Sequence, residues 1–218
     1  MRKFYTDGQR QLQEQFETTK MADLLQQAIV HAEVQDAERA FIESRDMFFL
    51  ATVDGQGQPT CSYKGGDPGF VKVVDPKTLV FPIYDGNGMF LSLGNVATTT
   101  RVGLLFIDFE TPHRLRVQGT ASVVRSGSLL EHYHEADVLV RVTVSEIFVN
   151  CSRYVHKYQR VAASRYVPRE QCQTPFAEWK RIDVVQEALP PRDAGRAEAA
   201  GGTITLEDYE AKLAAGQA

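Results

Sequence analysis

The chain has 218 residues, 43 % hydrophobic and 24 % charged, with a formal net charge of −4. That is the size and make-up of one folded domain with additions, able to bury a core without staples. The acidic balance argues against a general nucleic-acid binder, no window approaches the ~20 apolar residues of a membrane span, and residues 1–20 hold no apolar signal core, so a soluble, cytoplasmic protein is expected.

In chain order, Leu12, Phe16, Leu24, Leu25, Ala28 and Ala32 recur at helical spacing among Gln and Glu. A second short helix is expected over 36–44, with Ala37, Ala40 and Phe41 on one face. The period then changes. Residues 47–53 form a dense apolar run ending in Asp54-Gly55, a hairpin signal whose loop is lengthened by Gln56-Gly57-Gln58. The returning strand is 59–64. Gly65-Gly66-Asp67-Pro68-Gly69 turns into a short β-branched stretch at 70–74, and Asp75-Pro76-Lys77 turns again into a strand at 78–83. A short helix is expected over 91–98.

Three longer strands follow. Residues 101–109 are almost wholly apolar, as in a strand buried on both faces. In 114–124, Leu115, Val117, Gly119, Ala121 and Val123 face one way and Arg114, Arg116, Gln118 and Thr120 the other. Residues 137–149 alternate through Val138, Val140, Val142 and Val144. Strands at this spacing joined by turns predict a mainly β (α+β) chain, an antiparallel barrel with N-terminal and peripheral helices. The expected division is a helical segment packed on the barrel (1–45), the barrel (46–190), and a linker with a weakly tethered tail (191–218), since Pro190-Pro191 ends the ordered pattern and 193–202 is rich in Ala, Gly and charge. One last helix over 205–215 is expected within that tail.

Cys61, Cys151 and Cys172 form no C-x-x-C pair and are expected to be reduced thiols. P-loop, GxGxxG, GxSxG and HExxH signatures are absent. No metal site is expected: His132-x-His134 has no acidic or cysteine companions and reads as a solvated loop. Residues 153–166 mix Tyr154, Tyr158 and Tyr166 with Arg153, His156, Lys157, Arg160 and Arg165. Such a mixture suits base stacking, yet with an acidic chain it is read as a pocket wall or dimer surface, without nucleic acid.

Three segments have the character of a site. Ser62, Tyr63 and Lys64 leave a strand beside flexible glycines, which suits a phosphate; a solvated edge strand is the alternative. Phe81, Pro82 and Ile83 place a proline inside a strand, which implies an edge or bulge with unpaired backbone groups; a plain strand end is the alternative. Arg114 and Arg116 set two guanidiniums on one strand face, suited to a phosphate or to the pyrimidine edge of a reduced flavin.

Together these segments resemble the FMN-binding split-barrel family related to pyridoxamine 5′-phosphate oxidase. The likeness is carried by Phe48-Phe49-Leu50-Ala51-Thr52-Val53-Asp54, Gly65-Gly66-Asp67-Pro68-Gly69-Phe70-Val71, Leu79-Val80-Phe81-Pro82, Ser92-Leu93-Gly94-Asn95, Arg101-Val102-Gly103-Leu104-Leu105-Phe106 and Arg114-Leu115-Arg116-Val117-Gln118-Gly119. Asn150-Cys151-Ser152-Arg153-Tyr154 and Trp179-Lys180 also look like pieces of one subfamily. The resemblance implies a homodimer with FMN in a groove between two barrels, Ser62, Tyr63 and Lys64 at phosphate and flavin, and the backbone of Phe81, Pro82 and Ile83 along the isoalloxazine. It places Arg114 and Arg116 on the strand approaching the ring. Asn87, Gly88 and Met89 fall where the oxidase has a Ser-Arg-Lys clamp, so phosphate binding shifts to Lys64, Arg101 or Arg116, or weakens. The oxidase's C-terminal substrate signature is also absent. The implied activity is an FMN-dependent oxidoreductase acting on an unidentified small molecule, with Tyr154, His156 and Tyr158 lining the substrate side and no catalytic acid or base assigned. Alternatives are deazaflavin F420 in place of FMN, and a non-catalytic flavin- or haem-binding sensor.

Overall fold

The stretches of alternating apolar residues become strands close to where the pattern puts them. The computed structural model describes residues 3–217, and the chain divides into two compact units, Met1–Val161 and Ala162–Ala218. The first unit begins with α1 (Asp7–Gln15), α2 (Thr19–Ile29) and α3 (Asp36–Glu43), then β1 (Met47–Val53), β2 (Pro59–Gly65), β3 (Lys72–Asp75) and β4 (Thr78–Ile83). After α4 (Leu91–Thr99) come β5 (Arg101–Asp108), β6 (His113–Val124), the single turn α5 (Ser128–Glu131) and β7 (Val138–Asn150). The strands make one antiparallel sheet in the order β2-β1-β5-β6-β7-β4-β3, a split β-barrel with N-terminal and peripheral helices.

The inward face follows the alternation. Phe48, Phe81 and Phe106 are fully buried, with the Phe48 ring 4.9 Å from Phe81 and 5.2 Å from Phe106. Three such rings anchor the core more strongly than aliphatic side chains of the same number. Val140, Val142, Leu115 and Val117 fill the rest of it. Gly119 sits at a bulge in the β6–β7 ladder, where a Cβ would lie 2.1 Å from the carbonyl oxygen of Thr143. Only glycine admits that approach.

Two expectations change. The helical pattern of residues 8–32 breaks into α1 and α2, because Glu17 takes a left-handed conformation (φ 56°) and the Thr18 N–H turns back to the Gln13 carbonyl. Its apolar stripe is real, but Leu12, Phe16, Leu24 and Leu25 are exposed. Likewise β5 is covered on one face only: Val102, Leu104 and Phe106 are buried, whereas Gly103, Leu105 and Ile107 are half-exposed. Composition reports that a face is apolar; it does not report which layer covers it.

No helix among the described residues is long and apolar enough to cross a membrane.

The second unit contains short 3-10 turns, α6 (Arg196–Ala199) and α7 (Leu206–Ala214). At its centre Lys180 and Asp193 form an ion pair of 2.6 Å, with 2 % and 1 % of the side chains exposed. Arg196 shares Asp193, and Glu178 receives Arg165, Arg181 and Lys212. Residues 193–202, expected as linker, hold the buried Asp193 and Ala197, and Ile204 bridges Ile182 in parallel. A capping box between Thr205 and Asp208 starts α7.

Candidate functional site

The edge strand β2 carries the first group of expected site residues, and its pleat divides them. Residues opposite one another in an antiparallel ladder share a face. Ser62 faces with Leu50 and Lys64 with Phe48, toward the barrel interior, while Tyr63 faces with Phe49, outward. Tyr63 is 62 % exposed. Its phenol is pushed up by partial burial and by the Asp46 charge, with the Arg160 guanidinium opposing.

Lys64 is half-buried and has no hydrogen-bond or ion-pair partner among the described residues. Burial holds its ammonium below the ordinary lysine range. A buried cation without a counter-charge is unfavourable in an empty fold and becomes favourable when an anion arrives.

Facing this side of β2 is α4. Ser92 in its first turn lies 2.8 Å, oxygen to oxygen, from Ser62. One turn on, the Asn95 side-chain amide donates to Thr52 (3.0 Å) and Thr60 (3.3 Å), whose hydroxyls are themselves 2.8 Å apart. Thr99 adds a bond to the Val53 carbonyl at 2.6 Å. Asn95 and Thr52 are buried, so this network is satisfied without water. Ser92 and Asn95 were not singled out from the sequence as site residues; the segment Ser92-Leu93-Gly94-Asn95 entered there only as part of the family likeness.

The loop before α4 holds Asn87, Gly88 and Met89, all exposed, with the Asn87 side chain accepting from the Met89 N–H at 3.1 Å. Phe90 occupies the N-cap with φ 51°, and no side chain caps the helix. The loop is therefore accessible but contains no cation.

Phe81 points into the core and offers only its backbone. The proline does not make β4 an outer strand, since β4 runs between β7 and β3. Yet pairing with β3 stops at Val80, so Phe81, Pro82 and Ile83 are laddered on the β7 side alone. Locally this is the open edge that Pro82 implied. Tyr84 follows, its phenol raised to about 12 by burial and then by the Asp67 charge.

Arg101, Arg114 and Arg116 share the outer face with Tyr63, Phe49 and Leu105. Arg116 and Arg101 are exposed and unpaired among the described residues. Arg114 donates to the Cys151 carbonyl and leaves its Nε buried without a partner. The twelve expected residues thus form an inner group (Ser62, Lys64), an outer group (Tyr63, Arg101, Arg114, Arg116), a backbone edge (Phe81, Pro82, Ile83) and a loop (Asn87, Gly88, Met89).

After β7 the chain runs as an irregular strap along the end of the sheet. The Tyr158 N–H reaches the Phe109 carbonyl, and Arg160 pairs with Asp46 at 2.6 Å. Tyr154, His156 and Tyr158 are exposed on it. The Cys151 thiol is held below its ordinary range by hydrogen bonds from the Arg153 backbone and Nε, the latter 3.1 Å away. His132 lies exposed and His134 pairs with Glu135; no cluster of three or more potential metal ligands occurs among the described residues.

Residues 34–166 match the family model of pyridoxamine 5′-phosphate oxidase. The chain belongs to that family. No curated protein matches it. Among solved structures, it resembles HupZ of Group A Streptococcus (19 % identity, TM-score 0.45, covering 57 % of this chain and 99 % of that one). It also resembles an FMN-binding protein of Syntrophomonas wolfei subsp. wolfei (11 %, 0.42, 65 % and 96 %) and HutZ, the haem storage protein of Vibrio cholerae (21 %, 0.38, 54 % and 94 %).

For this family member the residues present fit a flavin mononucleotide. Lys64, without a partner among the described residues, shares a face of β2 with the Ser62 hydroxyl, and a cation with a hydroxyl suits a phosphate monoester. The unladdered backbone after Val80 suits the alternating carbonyl and N–H edge of a flavin ring.

Proposed function

We propose that this chain is an FMN-dependent oxidoreductase of the pyridoxamine 5′-phosphate oxidase family, acting on a small organic molecule and working as a cytoplasmic homodimer with the cofactor between two barrels. The observation that carries the reading is Lys64, a half-buried cation that no carboxylate neutralises. FMN would supply the electron transfer. Lys64 and Ser62 would hold its phosphate, the backbone of Phe81, Pro82 and Ile83 would border its ring, and Arg116 would offer positive charge on the outer face. Tyr154, His156 and Tyr158 are candidates for the substrate side, and no acid or base is assigned.

The homodimer is supported by β5, whose sequence is apolar on both faces but whose Leu105 and Ile107 remain half-exposed in the single chain. A second copy would cover them. The cytoplasmic assignment is supported by three exposed, unbridged cysteines.

The test is an absorption spectrum of protein loaded with FMN and then dialysed. Retained oxidised-flavin bands, bleached by a reduced nicotinamide donor, are expected. A haem or deazaflavin spectrum in freshly purified protein, with FMN lost on dialysis, would transfer the site to that cofactor and overturn the FMN assignment.

A further inference from the structure

The first two helices fold with polar sides together. Arg10 of α1 pairs with Asp23 of α2 at 2.7 Å and donates to Gln13 at 2.9 Å, and the Tyr5 hydroxyl donates to the Ala22 carbonyl at 2.9 Å. The apolar stripe is turned the other way. Leu12, Phe16, Met21, Leu24 and Leu25 are 45–70 % exposed, and neither helix contains a buried residue. Helices of nine and eleven residues fall below the ~12–15 at which a helix holds in water by itself, and most helical stability comes from packing an apolar face. A hairpin built this way calls for an apolar surface against its outside.

The hairpin is rooted beside a surface that is open in the same way. Phe4, just before α1, meets the Phe148 ring edge-on at 5.7 Å, and His31, just after α2, exchanges backbone hydrogen bonds with Ile147. Phe148 heads a row across the outer face of the sheet, followed by Arg116, Leu105, Phe49 and Tyr63. Leu105 and Phe49 are half-exposed and Tyr63 is exposed. The five hairpin side chains present on the order of 500 Å², short of the ~800 Å² that each partner in a stable interface buries. Hairpin and row together reach it. The charges match as well: Glu14 and Glu17 at the hairpin tip, and Arg101 and Arg116 on the outer face, are exposed and unpaired among the described residues.

From this arrangement we propose that the α1–α2 hairpin of each copy docks, apolar stripe down, on the outer sheet face of a second copy, the two contacts being exchanged about a two-fold axis. The proposal rests on the homodimer reading above and names a contact that holds the dimer. A second copy brings both surfaces at once, an open face for the hairpin and a hairpin for the open face, which is the self-complementarity of an isologous pair.

The experiment is the dimer dissociation constant of the full chain, measured by analytical ultracentrifugation. The wild type is expected to be a dimer. Phe16→Glu combined with Leu24→Glu alters side chains that a single chain leaves exposed, so the β-sheet circular dichroism should persist. That variant is expected to raise the dissociation constant at least about thirtyfold, the effect of losing one strong anchor. Leu105→Glu on the receiving face should do the same, with Leu105→Ser in its place if it does not fold. Mixing the two variants should recover dimer, since the mixed pair keeps one hairpin-on-face contact intact. An unchanged constant in the hairpin variant would overturn the contact while the homodimer stands. Weakening in both variants without recovery on mixing would overturn the assignment of the hairpin to the outer face. A monomeric wild type, free or bound to phosphatidylglycerol vesicles through the same stripe, would overturn the homodimer reading and the contact with it.

Discussion

The two units of this chain are held together by different physics. In the barrel the interior is aromatic and aliphatic, built on Phe48, Phe81 and Phe106, and polar groups enter it chiefly where α4 meets β1 and β2. In residues 162–218 the most buried pair is ionic, Lys180 with Asp193, bordered by the rings of Phe176 and Trp179. An apolar core tolerates loss of one member in proportion to the cavity left. A buried ion pair does not degrade gradually, because removing one partner strands the other charge. A periodic apolar core is also legible in sequence, whereas a pair of charges 13 residues apart is not.

The sharpest test of this contrast is in the small unit. Asp193→Ala is expected to destabilise it by about 3–5 kcal/mol, since it breaks the buried 2.6 Å ion pair with Lys180. Amide hydrogen exchange over residues 176–204 should rise accordingly. The double change Lys180→Met with Asp193→Leu should restore most of the protection; if it does not, the pair is needed for more than charge balance. In the barrel, Phe48→Ala is expected to cost about 3–5 kcal/mol by denaturant titration, with Phe48→Leu well below it. If the two barrel variants are equally damaging, shape rather than volume governs the core.

A smaller effect is expected at the bulge. Gly119→Ala must displace the Thr143 carbonyl that a Cβ would approach at 2.1 Å, at about 1–3 kcal/mol. A neutral result would show that the β6–β7 ladder is free to relax there.

The smallest effects are in pH dependence, and two groups move in opposite senses. The Lys64 ammonium is depressed by burial, so the unfolded chain holds that proton to higher pH than the folded one. Stability therefore rises with pH from the depressed value up to about the ordinary 10.5, an increment that Lys64→Met abolishes. Affinity for FMN should fall across the same rise, as the cation is lost. The Tyr84 phenol is raised to about 12 from 10.0, so the folded state keeps its proton longer. Stability contributed by the protonated phenol is complete below pH 10.0 and is lost as pH climbs to about 12. Denaturant titrations at stepped pH, with Lys64→Met and Tyr84→Phe as references, separate the two; a Tyr84→Phe profile identical to wild type would remove Tyr84 from the account.

Much of the barrel was legible because burial on one face imposes a period of two, and turn residues mark the ends. That reasoning placed β1 and β4 at the observed limits and β5, β6 and β7 within a residue or so. Of the site, Ser62 and Lys64 were legible as chemistry beside glycines, and Pro82 as an open edge. Ser92 and Asn95 were not, because their meaning comes from partners 30 and 35 residues away along the chain.

Periodicity and turn chemistry, read from the sequence by itself, determined that this is a β-barrel protein with a strand bearing a hydroxyl and a lysine beside glycines. Both are local properties, fixed by the spacing of side chains along a few residues of backbone. Only the tertiary structure decided that Tyr63 turns away from Lys64, that β5 keeps one apolar face half-open, and that residues 162–218 form a unit of their own around a buried ion pair. Each of those depends on which distant segment comes to lie against a surface, and side-chain spacing along one segment carries no record of that.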